Sequence, residues 1–113
     1  MDGCIFCKII AGELPSKKVY EDDEILIFHD IKPAAPVHVI CVPKIHMDSL
    51  NDISAENIGY VSHILEKIPK IAKSLGTADG YRVITNIGEK GGQSVKHLHF
   101  HVIGGKKLPV NLG

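Results

Sequence analysis

The sequence predicts an α+β fold, and three observations point there. Short runs of β-branched residues are bounded by turn signals, a single long stretch carries helical periodicity, and the strands are not regularly interleaved with helices, as a doubly wound α/β sheet requires. Ile5 to Ala11 reads as a short amphipathic helix, ended by the break at Pro15. Lys17 to Tyr20 and Ile25 to His29 read as strands joined by the turn Glu21-Asp22-Asp23-Glu24. Val37 to Val42, almost wholly β-branched or apolar, is a third strand that Pro43 stops. Ser54 is the expected N-cap of the main helix, whose Ile58, Val61, Ile64, Leu65, Ile68, Ile71, Ala72 and Leu75 share one face and whose C′ residue is Gly76. Pro69 is expected to kink or split this helix near Glu66. Tyr81 to Ile87 and His97 to Ile103 complete a five-stranded antiparallel sheet. No repeat, linker or low-complexity segment divides the chain, so residues 1–113 read as one domain.

Composition narrows the class. A hydrophobic share of 44% and a charged share of 23% are ordinary for a globular protein and argue against disorder. Thirteen basic residues balance thirteen acidic ones. No global field draws the molecule to nucleic acid or to an anionic membrane, and anion binding is expected to be local. Met1-Asp2-Gly3-Cys4 shows no basic region leading into an apolar stretch, so the expected location is cytoplasmic, with no membrane partner.

The most informative segment is His97-Leu98-His99-Phe100-His101-Val102-Ile103. In a strand, residues two apart share a face, so three imidazoles would line one face while Leu98, Phe100 and Val102 enter a core. Such imidazoles serve as metal ligands, as a nucleophile at phosphorus, or simply as a solvated, hydrogen-bonded polar face. Upstream runs Asn86-Ile87-Gly88-Glu89-Lys90-Gly91-Gly92-Gln93-Ser94, a glycine-rich turn expected to gather backbone N–H groups around an anion. A phosphate beside the histidines fits both features, although most glycine-rich turns are only connections.

With these residues in view, the chain resembles the histidine triad (HIT) hydrolases, in particular their Hint-like branch. The likeness runs through Ile5-Phe6-Cys7-Lys8-Ile9-Ile10, Glu13-Leu14-Pro15, Phe28-His29-Asp30-Ile31, Pro36-Val37-His38 and Val42-Pro43-Lys44-Ile45-His46. It continues through Asn86, Gly91-Gly92-Gln93-Ser94-Val95 and the triad followed by Gly104-Gly105. The resemblance implies a HIT-like fold, a homodimer with sheets continuous across the interface, and a catalytic set of His99, His101, His38 and Ser94. His99, the middle histidine, would be the nucleophile that forms a transient nucleotidyl-imidazole on the α-phosphorus of a nucleotide, which water then hydrolyses. His101 would contact phosphate, His38 would orient, and Ser94 with the backbone of Gly92 and Gln93 would hold phosphate oxygens. Asn86 would contact phosphate or sugar. Asp30 would accept from both ribose hydroxyls, a role open to a carboxylate with two acceptor oxygens. Phe28 and Ile31, with Phe6 and Ile9, would line the base, although apolar residues at such positions also serve as plain core.

Cys4-Ile5-Phe6-Cys7 has the spacing of half a zinc site, and the resemblance brings His46 and His97 to it as the other two ligands. Such a closed zinc site is expected to be structural, with no cofactor required for catalysis. A redox pair and two reduced, buried thiols are the alternatives. Cys41 reads as a core residue, while His29 and His63 belong to no constellation. The expected activity is hydrolysis of purine nucleoside 5′-phosphoramidates or related nucleotide conjugates. A dinucleoside polyphosphate hydrolase or nucleotidyl transferase of the same superfamily, and a dimeric nucleotide-binding adaptor, stand as the alternatives.

Overall fold

The computed structural model describes residues 3–111. The chain runs α1 (Ile5–Ile10), β1 (Lys18–Glu21), β2 (Ile25–His29), β3 (Val37–Pro43), α2 (Ile58–Ser74), β4 (Tyr81–Ile84) and β5 (Phe100–Gly104), with short 3₁₀ turns at Leu50–Asp52 and Glu89–Gly91. The strands form one antiparallel sheet in the order β1-β2-β3-β5-β4. This is the α+β architecture the sequence predicts. Among the described residues, no helix is long and apolar enough to cross a membrane.

Alternation along the strands splits the core into two layers. Ile25, Ile27, Val39, Cys41, Phe100 and Val102 face α2 and pack on its Val61, Ile64, Ile68 and Ile71. Leu26, Phe28, Ile40 and Val42 face the other way and pack on α1 through Phe6. Each such buried aliphatic or aromatic side chain contributes about 1.5–3 kcal/mol. His38 of β3 and His101 of β5 alternate with the α2-facing residues and so share this second face with α1.

Several elements depart from the sequence reading. Pro69 does not break α2, which continues from Ile58 to Ser74. The proline lies on the exposed side, while Val61, Ile64, Ile68, Ile71 and Ala72 clamp both halves of the helix to the sheet. Packing outweighs the roughly 3 kcal/mol penalty of an internal proline. Ser54 does not cap with its side chain. Instead Asn57 Oδ1 accepts from the Ser54 N–H (2.8 Å), and the Ser54 carbonyl accepts from Ile58 N (2.9 Å). At the other end Gly76 sits at φ +80°, its N–H bonds Lys73 O, and Thr77 N–H bonds Ala72 O at 2.8 Å. That pair is a Schellman closure.

β4 ends at Ile84 rather than Ile87, and β5 begins at Phe100 rather than His97. His97, Leu98 and His99 lead into the strand from a bend at residues 95–97 and, among the described residues, have no ladder partner. Leu98 still joins Phe100 and Val102 in the α2 layer. The alternation therefore begins before the strand does.

Candidate active site and metal cluster

The sequence pattern suggested three histidines on one face serving one site; the fold divides them between two. His97 is fully buried and turns toward Cys4, Cys7 and His46. His99 and His101 open toward Asp30 and His38.

Hydrogen-bond partners fix the tautomer of each imidazole. His99 Nδ1 lies 2.7 Å from the His97 carbonyl, an acceptor only, so this nitrogen carries the proton and Nε2 is bare. His38 Nδ1 accepts the Ala34 N–H at 2.9 Å, so its proton is on Nε2, which donates to His101 Nδ1 at 2.8 Å. His101 must then hold its own proton on Nε2. One main-chain amide thus sets the protonation of two side chains in series. The result is a bare nitrogen on His99 beside an N–H donor on His101, with ring centroids 5.0 Å apart.

Burial favours the neutral form of His99 and of His101. It lowers the affinity of His99 for a proton, against the opposing pull of the His97 carbonyl and Asp30. For His101, burial and then the neighbouring His99 and His38 push the pKa down to about 4. At neutral pH the His99 lone pair is available.

Asp30 caps the neighbouring loop. Its Oδ1 accepts from Lys32 N at 2.7 Å, and Oδ2 lies 3.4 Å from His38 Nε2. Asp30, Ile31, His38, Pro33 and Pro36 line a cavity of about 420 Å³. Ile31 is 93% exposed at its rim, whereas Phe28 is 4% exposed and packs edge-on to Phe6.

The glycine turn is tied down internally. Gly91 N and Gln93 N bond Gly88 O, and Gly92 N bonds Glu89 O. The Gln93 side chain accepts from Gly88 N and donates to Asp48 O and Val95 O, while Asn86 Nδ2 braces Gly91 O at 2.9 Å. Gly92 adopts φ +81°, which only glycine tolerates easily. The expected anion nest of Gly92 and Gln93 amides is therefore engaged within the loop in this conformation. Among the described residues, neither the N–H nor the hydroxyl of exposed Ser94 has a protein partner.

The second cluster is built at the start of α1. Cys4 caps that helix, its Sγ accepting the Cys7 N–H at 3.2 Å. Cys4 Sγ lies 3.3 Å from His97 Nδ1, and Cys7 Sγ lies 3.3 Å from His46 Nδ1 and 3.5 Å from His97 Nδ1. The remote nitrogens are occupied, since His46 Nε2 donates to Asp48 Oδ1 (2.9 Å) and His97 Nε2 to Pro43 O (3.0 Å). Both Nδ1 lone pairs therefore converge with two sulfurs. A tetrahedral ion with bonds of about 2.3 Å to sulfur and 2.0 Å to nitrogen has S···N edges near 3.5 Å, which this spacing matches. Burial, with Cys4 close by, pushes the Cys7 thiol up to about 11, so a Cys7 thiolate here requires a neighbouring cation. The donor set fits a zinc-type ion, with Asp48 and Pro43 as the groups that orient its histidines.

Cys41 is buried in the α2 layer, and burial pushes its thiol up to about 12. His29 is exposed. His63 does belong to a constellation: its Nε2 lies 2.7 Å from Asp22 Oδ2 and its Nδ1 2.6 Å from Glu24 Oε1. Sequence reasoning also passed over Asp48, although a His-x-Asp step is a usable signal for a supported ligand. Thr85, whose hydroxyl donates to the His99 carbonyl at 2.8 Å, carried no signal.

Comparison with known proteins identifies the family and the fold. Residues 3–110 match the family described as the scavenger mRNA decapping enzyme C-terminal binding domain. Protein HitA of Neisseria gonorrhoeae is 48% identical over 104 residues, covering 92% of this chain and 97% of that protein. A histidine triad protein structure from Clostridium difficile superposes with a TM-score of 0.92 at 57% identity, covering 99% of this chain and 97% of its own. A structure described as a HIT family hydrolase, from Clostridium thermocellum, superposes with a TM-score of 0.95 at 42% identity, covering 99% and 98%.

Proposed function

This chain belongs to the histidine triad (HIT) family of hydrolases, and we propose that it cleaves purine nucleoside 5′-phosphoramidates or related nucleotide conjugates through His99. The observation that carries the reading is the bond from His99 Nδ1–H to the His97 carbonyl, which leaves Nε2 bare. Nε2 attacks the α-phosphorus, and the bond to the leaving amine breaks as the P–N bond to His99 forms, the amine taking up a proton from solvent water beside the exposed Ser94 hydroxyl and the hydrolytic water of the second step returning one. Water then attacks phosphorus and displaces His99, releasing the nucleoside monophosphate. His101 Nε2–H donates to a non-bridging oxygen as charge builds there, with His38 holding its ring. Ser94, presented by the loop of Asn86, Gly92 and Gln93, offers a free N–H and hydroxyl on the leaving-group side. Asp30 accepts from the ribose, with Ile31 and Phe28 beside the base.

A turnover panel of adenosine and guanosine phosphoramidates against dinucleoside polyphosphates tests the substrate class. Preferential cleavage of phosphoramidates is expected; preference for polyphosphates transfers the assignment to that rival, and nucleotide binding without turnover favours the adaptor. His99→Asn should abolish turnover while nucleoside monophosphate affinity, measured by calorimetry, stays within a few fold of the parent. Substantial residual turnover by a contaminant-free variant would defeat the nucleophile assignment.

Cys4, Cys7, His46 and His97 are proposed to hold one zinc ion, which takes no part in bond making. The active form is proposed to be a homodimer located in the cytoplasm. Edge strand β4 exposes Val83 on the α2 side of the sheet, and α2 exposes Ile58 and Leu65, apolar surface that supports association.

A further inference from the structure

The two cysteines of the metal cluster bracket Phe6. Cys4 caps α1 and Cys7 lies within its first turn, while Phe6 sends its ring to the other neighbour, the nucleophile. Its centroid is 5.0 Å from that of His99, at 83° between the ring planes, and the side chain is 6% exposed. The same ring reaches His97 at 6.0 Å and Phe28 at 5.7 Å. His99 thus has an aromatic wall supplied from between two sulfur donors.

Its second restraint comes from the cluster as well. The carbonyl that takes the His99 Nδ1 proton belongs to His97, whose own ring faces the sulfurs. At six residues, α1 is too short to persist as an independent helix and keeps its place only through its contacts. Two sulfurs and two imidazoles face one another at 3.3–3.5 Å. An ion bonded to all four fixes them together; without it, only thiol protons link them.

We infer that the Cys4, Cys7, His46 and His97 cluster, when it holds zinc, sets the pose of His99 through Phe6 and the His97 carbonyl, so that metal occupancy governs turnover without the metal touching substrate. Phe6 is in this scheme a positioning residue. The inference rests on the proposed zinc site, and it adds a coupling between that site and the nucleophile that neither proposal contains alone.

The experiment compares zinc-loaded and chelator-stripped protein, labelled with ¹⁵N-histidine and shown by circular dichroism to be folded at the working temperature. Three quantities are read: the hydrogen-bonded Nδ1–H resonance of His99, assigned by its loss in His99→Asn; the affinity for adenosine monophosphate; and turnover of an adenosine 5′-phosphoramidate. Stripping should broaden or erase the resonance and lower kcat about tenfold or more, since misplacement by about 1 Å can cost a hundredfold. KM should change far less, and added zinc should restore both signals. Phe6→Leu should weaken the resonance and kcat at unchanged zinc content, a result that a purely structural metal does not produce.

If stripping unfolds the chain, Asp48→Asn loosens His46 without removing a donor. Zinc titration of that variant must then show the His99 resonance rising in step with occupancy. A folded metal-free protein with the resonance and kcat intact overturns the coupling and leaves the zinc site standing. Failure of reduced protein to take up zinc overturns both. A resonance that follows zinc in a protein that cleaves no phosphoramidate supports the coupling and overturns the substrate assignment.

Discussion

Asp30 commits one carboxylate oxygen to the fold and, with the other near His38, lines a cavity. One oxygen closes its own loop through Lys32 N–H, and the other faces the cavity near His38. A bound ribose would add hydrogen bonds to an ionised acceptor, each worth about 1.5–3 kcal/mol. Asp30→Ala should therefore lower kcat/KM for ribonucleotide substrates by about ten- to a hundredfold and flatten the preference for ribo over 2′-deoxy substrates. Paired kinetics on the two sugars, with circular dichroism to confirm the loop, checks this; an unchanged ribo to deoxy ratio rejects the role. At this scale the sequence pattern was readable where chemistry repeats, as in the alternating histidines. It was silent where a main-chain group does the work: the Ala34 amide and the Pro43 and His97 carbonyls set imidazole tautomers, and any residue supplies an amide or a carbonyl.

Among the elements, the β1–β2 turn and α2 are latched by His63 between Asp22 and Glu24. Tyr20 OH also bonds Asp22 (2.7 Å), and Lys67 of α2 lies over the Tyr20 ring. The hydrogen bond that His63 donates to Glu24 leads in raising the His63 pKa above 6.5, against burial and with help from Asp22. The stabilisation is thus complete below about pH 6.5 and is lost as pH rises through the folded-state value. Asp22 behaves oppositely. Burial pushes its pKa up, but Tyr20, the Glu24 and Ile25 amides and His63 together hold it at about 2, so its contribution is lost as pH falls from 3.8 toward 2. Melting curves from pH 5 to 9 should show the parent losing its advantage over His63→Gln as the solution turns alkaline, within the roughly 0.2–1 kcal/mol of a part-exposed pair. A pH-independent difference rejects the latch. Helix and strand existence was legible from periodicity, but their ends were not. Pro69 obeyed burial over propensity, and His97 and His99 left the ladder because their ring and carbonyl groups are committed elsewhere.

For the whole molecule, composition and strand spacing sufficed for the fold class, while the order β1-β2-β3-β5-β4 lay beyond them, since nothing local says which strand fills the centre. Exposed Val83, Ile58 and Leu65 carry the prediction at this scale. Sedimentation of the parent should give a dimer. Val83→Lys should shift it toward monomer by placing a charge on the edge strand while leaving the chain folded. A parent that sediments as a monomer across micromolar concentrations removes the dimer from the proposal.

The central pairing of β3 with β5 has a consequence in time. Residues 37–41 must find residues 100–104 across the length of α2 and β4, the costliest loop closure in the sheet, whereas β1, β2 and β3 meet through short turns. Folding should then start from that N-terminal meander and close on β5 late. Substitutions in β2 should slow refolding, and those in β5 should chiefly hasten unfolding. His38 and His101 would come together only in the last step, so a partly folded species along the way would lack the assembled histidine cluster.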